Sequence, residues 1–574
     1  MPLVTYQSSD FATPSGECDL IMKGGVTSGL VYPYAILEMA RVYRFRSIGG
    51  TSAGAIASAF AAAAEYSRSI RNDPDGFLRM QAHCEQLPRL LAGLFQPAPQ
   101  FATVMAFLLR AQASAGKWSI ALALVRLFWP ILTGGAALGA AVMVLAQAGA
   151  AGAILGGAVG AAVGLALFLR STARSLVQHN FGLCTGQTQP GTSQPALTDW
   201  LHQAIQDIAF GDATRAAPLT FRDLEEVAGG VAPIHLRMIT TNLSMRRPHT
   251  LPTLRLRTFI DPEVWKSFFP AQVISHIVAY SQPAQRYPNL REFPAALDLP
   301  VVVAARMSLS FPILFCAVPM WTRDLASSFL ARHTGGDGTV KLRKVWFIDG
   351  GVSSNFPIHM FDALLPSRPT FALSLDALPP GAREDGDRVR IPTTAGDGVS
   401  LPVHEVDSLF AFAGGILDAA KDWQDNLLSG MPGQRERIAR VMLSSSEGGL
   451  NLTMPPEKSA ALMAYGREVG SQFAHGALDF DEHRWRRTLV AYEQLERTVF
   501  ATSQTWRQRG FGAWLRGYIG ATKSYNEVGK TDRAHIRARL AAFAALAKQF
   551  TPPIVGPDRK LPRPPARLRI GPDL

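Results

Sequence analysis

The sequence predicts an α/β protein, a three-layer α/β/α domain around a mainly parallel central sheet, interrupted by an apolar helical hairpin and followed by a mostly helical C-terminal region. Three observations predict it. Two apolar runs near the start, Asp19–Met22 and Phe45–Ile48, each lead through a glycine-containing turn into a helical stretch, the β-α-β-α order of a parallel sheet. Further β-branched and apolar runs return at Ile234–Thr241, Val301–Ala304, Val345–Ile348 and Phe371–Leu375 and are read as the remaining strands. Between the two groups, Leu127–Leu169 runs for 43 residues without Asp, Glu, Lys, Arg or His.

Taken in order, residues 1–17 form a polar leader with neither a basic n-region nor an apolar h-region, so no secretory signal is expected. The first strand is followed by Lys23-Gly24-Gly25-Val26-Thr27-Ser28-Gly29 and a helix over Leu30–Val42. The second leads into Gly50-Thr51-Ser52-Ala53-Gly54 and the alanine-rich helix Ala55–Tyr66. Helix Phe77–Gln96 ends at Pro97-Ala98-Pro99. Residues 97–181 are an inserted helical region. One spanning helix needs about 20 apolar residues, so the charge-free run fits two, 127–146 and 149–169, with a turn near Gln147–Ala150.

Gly152, Gly156, Gly160 and Gly164 fall on one helix face, a small-residue strip suited to close helix approach and to a homo-oligomer. Arg110, Lys117 and Arg126 precede the run and Arg170 and Arg174 follow it, which puts both ends on the cytoplasmic side. The same composition also fits a helical pair buried in protein. Gly182–Asp199 reads as a polar linker, and residues 18–96 and 182–380 make up the catalytic domain. Residues 400–550 are mostly helical, with Glu447–Leu452 as a strand and turn returning to the core and Thr531–Phe550 as a basic amphipathic helix. Residues 551–574 are a Pro/Arg-rich tail, extended or disordered.

A chain of 574 residues, 47% hydrophobic and 18% charged, holds two to four structural units. Its net charge of +12 is scattered and accompanied by no nucleic-acid-binding signature, so an anionic membrane surface is the expected partner rather than nucleic acid. The four cysteines are far apart and match no metal spacing, and no metal or cofactor is expected.

The chemistry starts at Ser52. A GxSxG turn between strand and helix is a nucleophile elbow: Gly50 and Gly54 permit the sharp backbone, and the following helix aims its positive end at the serine. A serine hydroxyl needs a base, and Asp349, at the end of the run Val345–Ile348 and followed by Gly350 and Gly351, places a carboxylate at a strand's C-terminal edge, where open α/β sheets bind ligands. The loop Gly24 to Gly29 offers backbone N–H groups for an oxyanion hole. A phosphate-binding loop is its other reading, but GGVTSG matches neither GxGxxG nor a Walker A ending. His359 or His404 would complete a Ser…Asp…His triad, although Ser52 follows only the second strand, earlier than α/β-hydrolases place their nucleophile.

The order glycine-rich loop, GxSxG, distant Asp-Gly-Gly resembles the patatin-like phospholipase family, in a long bacterial branch whose loop reads KGGVTSG. Thr240-Thr241-Asn242-Leu243, Ser308-Leu309-Ser310-Phe311-Pro312 and Asn355-Phe356-Pro357 extend the resemblance, which covers Cys18–Leu375 apart from the insertion. It implies a Ser52/Asp349 dyad, with oxyanion donors from Gly24, Gly25 and Val26, and hydrolysis of acyl esters in lipids. The family's usual loop reads GGGx[RK]G; here Val26 stands at the third glycine and Ser28 at the basic position, with Lys23 the nearby cation that could compensate.

The leading expectation is a serine acyl hydrolase acting on phospholipid or another acyl-ester lipid at the inner membrane, with its catalytic domain in the cytoplasm. Two alternatives stand beside it: a membrane-embedded oligomeric or pore-forming protein with a vestigial hydrolase fold, and a soluble esterase with a buried hairpin.

Overall fold

The computed structural model describes residues 4–546 and 549, apart from residues 26, 114–116, 228, 380, 395–396, 398–402, 404, 445, 450, 453, 509, 512 and 515–529. The tail 551–574 and His404 therefore lie outside the described residues. In chain order the strands are β1 (Gly16–Met22), β2 (Tyr43–Gly50), β3 (Gly182–Cys184), β4 (His235–Asn242), β5 (Arg247–Leu251), β6 (Thr258–Ile260) and β7 (Arg291–Glu292). They continue with β8 (Ile313–Phe315), β9 (Val318–Asp324), β10 (Lys341–Asp349), β11 (Thr370–Ala377), β12 (Val389–Arg390) and β13 (Ile438–Leu443).

Eleven of these form one sheet in the order β12-β13-β11-β1-β2-β4-β10-β9-β6-β7, with β5 paired to β4. Its centre, β13-β11-β1-β2-β4, is parallel. Beyond β4 the strands β10, β9, β6 and β7 run antiparallel. Parallel strands need helical crossovers, so both faces of the centre are covered. On one face Leu20 and Met22 join the main core with helices Tyr32–Ala40, Ala53–Ser69 and Leu197–Phe210. On the other, Ile21, Ile239, Ala372 and Ile438 pack against Phe356, Ile358 and Met360, with Leu428 of helix Leu409–Ser429 alongside.

Three segments differ from expectation. Val301–Ala304 belongs to a fully buried helix, Val301–Ser308, which starts directly after Pro300. A short run buried on every side carries no periodicity to separate strand from helix. The expected linker Gly182–Asp199 begins with β3, which pairs in parallel with β8. The C-terminal region is helical over Pro456–Ala474, Phe480–Gln508 and Lys530–Leu546, yet it also gives β13 to the main sheet.

The charge-free run lies within two long helices, Lys117–Leu145 and Gly149–Gln178. Only 6% of each apolar window is buried, so the pair is not enclosed by the domain. The glycine strip closes the hairpin on itself: a Cβ on Gly156 would lie 2.6 Å from the Gly139 carbonyl oxygen, and one on Gly160 would overlap Gly135. Gly156, Gly160 and Gly164 thus serve helix contact within one chain, while Gly152 meets Ala148 of the turn, and the expected oligomer contact is left without support.

Candidate active site

β2 delivers the chain to the elbow. A Cβ on Gly50 would sit 2.5 Å from the Gly54 carbonyl oxygen, and one on Gly54 2.5 Å from that of Met22, so neither position accepts a larger residue. Ser52 takes φ 53° and ψ −126°, a conformation that costs a non-glycine residue of order 1–3 kcal/mol and that clusters at functional sites. Helix Ala53–Ser69 starts at the next residue and presents its positive end to the serine. Ser52 is buried; its N–H donates to Ser308 Oγ (3.1 Å) and its hydroxyl donates to the Gly25 carbonyl (3.2 Å).

The glycine loop follows β1 and lies against this turn. Gly24 N–H donates to the Asn355 carbonyl (2.7 Å), so in this conformation it is not aimed at substrate. The Gly25 carbonyl also accepts Ala53 N–H (3.1 Å), whereas Gly25 N–H has no hydrogen-bond partner among the described residues. Val26 lies outside the described residues. Gly29 allows the following turn to approach Ala53, since a Cβ there would be 2.8 Å from the Ala53 Cβ. Lys23, the possible substitute for the missing loop cation, is engaged elsewhere. Its Nζ is 2.7 Å from Asp376 Oδ1, while Arg440 holds Oδ2 at 2.8 Å. Despite burial, these two cations keep the Asp376 carboxyl well below the usual carboxylate range.

Asp349 arrives from the opposite direction. β10 is antiparallel to β4 and enters from outside the sheet edge that carries the Ser52 elbow, with Asp349 opposite Thr240. Gly50 of β2 is level with Met238, two residues before Thr240, so the carboxylate and the elbow meet at one end of the sheet. The carboxylate thus reaches this edge at the end of an antiparallel strand, a direction that an apolar run does not encode. Asp349 is buried; its Oδ1 accepts Gly351 N–H (2.6 Å) and its own N–H donates to the Ser310 carbonyl (2.9 Å). Thr241 Oγ1 donates to the Asp349 carbonyl (2.8 Å), and a Cβ on Gly350 would overlap the Ile239 carbonyl.

Asn355 ties the two halves together. A Cβ on Gly24 would overlap Asn355 Oδ1 and lie 3.3 Å from the Ser52 Cβ, and one on Gly351 would lie 2.8 Å from that same oxygen and 2.9 Å from Asp349 Oδ1. The Asn355 carbonyl also accepts Thr51 Oγ1 (2.9 Å). The Asn355 and Phe356 N–H groups both donate to Asp425 Oδ2, at 2.7 Å each, on helix Leu409–Ser429. Burial pushes the Asp425 carboxyl up to about 6 although both N–H groups favour its charged form. The C-terminal region makes a second contact, the Gly449 carbonyl accepting Thr27 Oγ1 (3.1 Å), so the expected returning segment at Glu447–Leu452 contributes a turn rather than a strand. The Ser308–Ser310 segment is braced by Arg306, whose buried guanidinium donates to Ser310 Oγ (2.7 Å).

Asp425 is not marked as a site residue by its own local pattern, whereas Ser308 falls in the Ser308–Pro312 motif, which does not by itself foretell its bond to the Ser52 N–H. Among the described residues no histidine hydrogen-bonds Ser52; His359 is half-buried, and desolvation lowers its imidazole below its ordinary value. Beside the elbow opens a cavity of about 70 Å³ whose wall includes Gly29, Ala53, Ala57, Phe60, Leu91 and Leu309. It begins one residue from Ser52 and its lining is almost wholly apolar.

Residues 20–362 match the model of the patatin-like phospholipases. The chain belongs to that family. As a patatin-like phospholipase it is a lipid acyl hydrolase, and the loop, elbow and Asp-Gly-Gly all fall inside the matched span. A relative from Rhizobium meliloti (strain 1021), described as an RpoH suppressor, is 33% identical over 640 residues, covering 98% of this chain and 99% of the relative. Among solved structures, VipD from Legionella pneumophila is 11% identical and covers 93% of this chain and 85% of its own, with a TM-score of 0.30. The type III effector protein ExoU is 14% identical and covers 96% and 77%, with a TM-score of 0.24. Both superpositions are too loose to carry meaning about this patatin-like site.

Proposed function

We propose that this protein cleaves fatty acyl esters of phospholipids or related lipids by a Ser52/Asp349 dyad, facing the cytoplasm at a membrane into which the hairpin Lys117–Gln178 inserts. The observation that carries the reading is the strained Ser52 elbow meeting Asp349 across Asn355, beside an apolar cavity. In the reaction Asp349 takes the hydroxyl proton as Ser52 Oγ attacks the ester carbonyl. The developing oxyanion is held by Gly25 N–H at the positive end of helix Ala53–Ser69. Collapse expels the alcohol with the proton from Asp349 and leaves an acyl ester on Ser52. Water, deprotonated by Asp349, then releases the fatty acid and restores the serine. The acyl chain lies in the cavity lined by Phe60 and Leu91, where burial of each methylene is worth about 0.8 kcal/mol.

Fatty-acid release from phospholipid vesicles tests the chemistry: Ser52→Ala and Asp349→Asn should each abolish it while keeping the wild-type circular dichroism spectrum. Equal release by wild type and Ser52→Ala would refute the dyad. Carbonate washing of cell membranes tests the location, since an inserted hairpin stays in the pellet.

A further inference from the structure

β10 does more than deliver Asp349. Ladder pairing with β4 is confined to Phe347–Asp349; from Lys341 to Trp346 the ladder partner is β9, with Trp346 also bonded to Leu243 N–H and Ser244 Oγ just past β4, and the strand projects beyond the edge that carries Ser52. At about 3.3 Å per residue this projection rises roughly 20 Å. Helix Leu325–His333 crosses its tip. That helix shows solvent Leu325, Phe329 and Leu330, exposed by 59%, 60% and 62%; Leu325 and Phe329 are i,i+4 neighbours and Leu330 widens the apolar arc to about 140°.

Charge and aromatic content say what covers this face. Between Trp321 and Trp346 stand five Lys or Arg (Arg323, Arg332, Lys341, Arg343, Lys344) against two Asp (Asp324, Asp337), a net charge of +3. Lys344 Nζ lies 4.3 Å from the Trp346 ring and 5.6 Å from that of Trp321, a cluster of the kind found at membrane–water interfaces. The cluster continues into the root of the apolar hairpin: Phe181 stands edge-on to Trp346 at 5.0 Å, and Lys344 Nζ is 3.4 Å from Asn180 Oδ1. Apolar tips, excess positive charge and tryptophans next to a membrane-type hairpin fit an anionic bilayer surface. A second copy of a chain carrying +12 would meet like charge.

We infer that the β9–β10 projection, capped by Leu325, Phe329 and Leu330, is a docking surface for anionic lipid bilayers that holds the Ser52/Asp349 edge toward the lipid. The inference rests on the hairpin and dyad readings above, and its test separates them. Full-length wild type and the triple variant Leu325→Ser/Phe329→Ser/Leu330→Ser are compared on phosphatidylcholine vesicles with and without phosphatidylglycerol, and on soluble p-nitrophenyl butyrate. The triple variant should keep the soluble-ester rate while losing vesicle hydrolysis by at least roughly tenfold, since three large apolar side chains no longer enter the bilayer. In a Ser52→Ala background, an environment-sensitive dye on Phe329→Cys should brighten and shift to the blue only with anionic vesicles.

Unchanged vesicle hydrolysis by the triple variant, or a dye blind to vesicles, overturns the docking surface. A dye response that follows protein concentration without lipid overturns it in favour of a second copy. Absence of all ester hydrolysis in wild type refutes the dyad instead, and leaves the dye experiment standing.

Discussion

Replacing Asp425 by alanine tests whether the C-terminal half of the chain holds the catalytic turn. Asp425 Oδ2 accepts the N–H groups of Asn355 and Phe356, and the Asn355 carbonyl in turn accepts Gly24 N–H and Thr51 Oγ1 beside Ser52. A hydrogen bond to a charged group contributes about 1.5–3 kcal/mol, so these two amides should exchange with deuterium roughly 10- to 150-fold faster in Asp425→Ala. Exchange read by mass spectrometry on peptides covering 352–358 measures this directly, and turnover of a soluble ester should fall with it. The pH dependence has a definite sign. Burial raises this carboxyl from its ordinary 3.8 to about 6, so the folded state holds the proton more tightly than the unfolded state. Stability from this group is therefore full below pH 3.8 and is lost as pH rises through about 6, by at most about 3 kcal/mol. Asp425→Asn should melt higher than wild type at pH 8, with the gap closing toward pH 4. Unchanged amide exchange in the alanine variant, or a melting gap that ignores pH, would refute the reasoning.

Other consequences are as direct. Gly54→Ala forces a Cβ to 2.5 Å from the Met22 carbonyl oxygen; it should cost about 1–3 kcal/mol or more and abolish labelling of Ser52 by a fluorophosphonate probe. Ala57→Phe places a ring in the cavity beside the elbow, and kcat/KM should fall by roughly fourfold for each methylene excluded, sparing short esters and penalising long ones. Gly156→Leu puts bulk against Gly139 and Met143, so spin labels at Ala140→Cys and Ala153→Cys should move apart by a few ångström in pulsed electron resonance.

The readable parts of the site were those written in a few consecutive residues. Gly50 to Gly54 and Asp349 to Gly351 each encode a turn at the end of a strand, and the backbone crowding at Gly50, Gly54 and Gly350 explains why glycine is found there. Strand direction was not readable, because Val345–Ile348 looks the same whether β10 runs parallel or antiparallel to β4. Val301–Ala304 was misleading for a related reason, burial on every side erasing its periodicity. Lys23 looked like a free cation near the loop, but its partner Asp376 is 353 residues away. Asp425 is one carboxylate in an amphipathic helix, and nothing local distinguishes it from a solvent-facing residue until the fold sets it beneath Asn355.

The hydrogen bonds from the Asn355 turn to Asp425 also order events in time. The hairpin helices end at Gln178, and 247 further residues must be made before Asp425 exists. At about 5–20 residues per second the ribosome needs roughly 12–50 s for that stretch. Ser52, Gly24 and Asp349 are all synthesised before the carboxylate that receives the Asn355 and Phe356 amides, and Gly449, which receives Thr27, comes later still. The hairpin helices are therefore complete while the Asn355 turn still lacks its Asp425 contact and Thr27 its Gly449 contact, and on the proposed reading hydrolytic competence follows membrane delivery rather than preceding it.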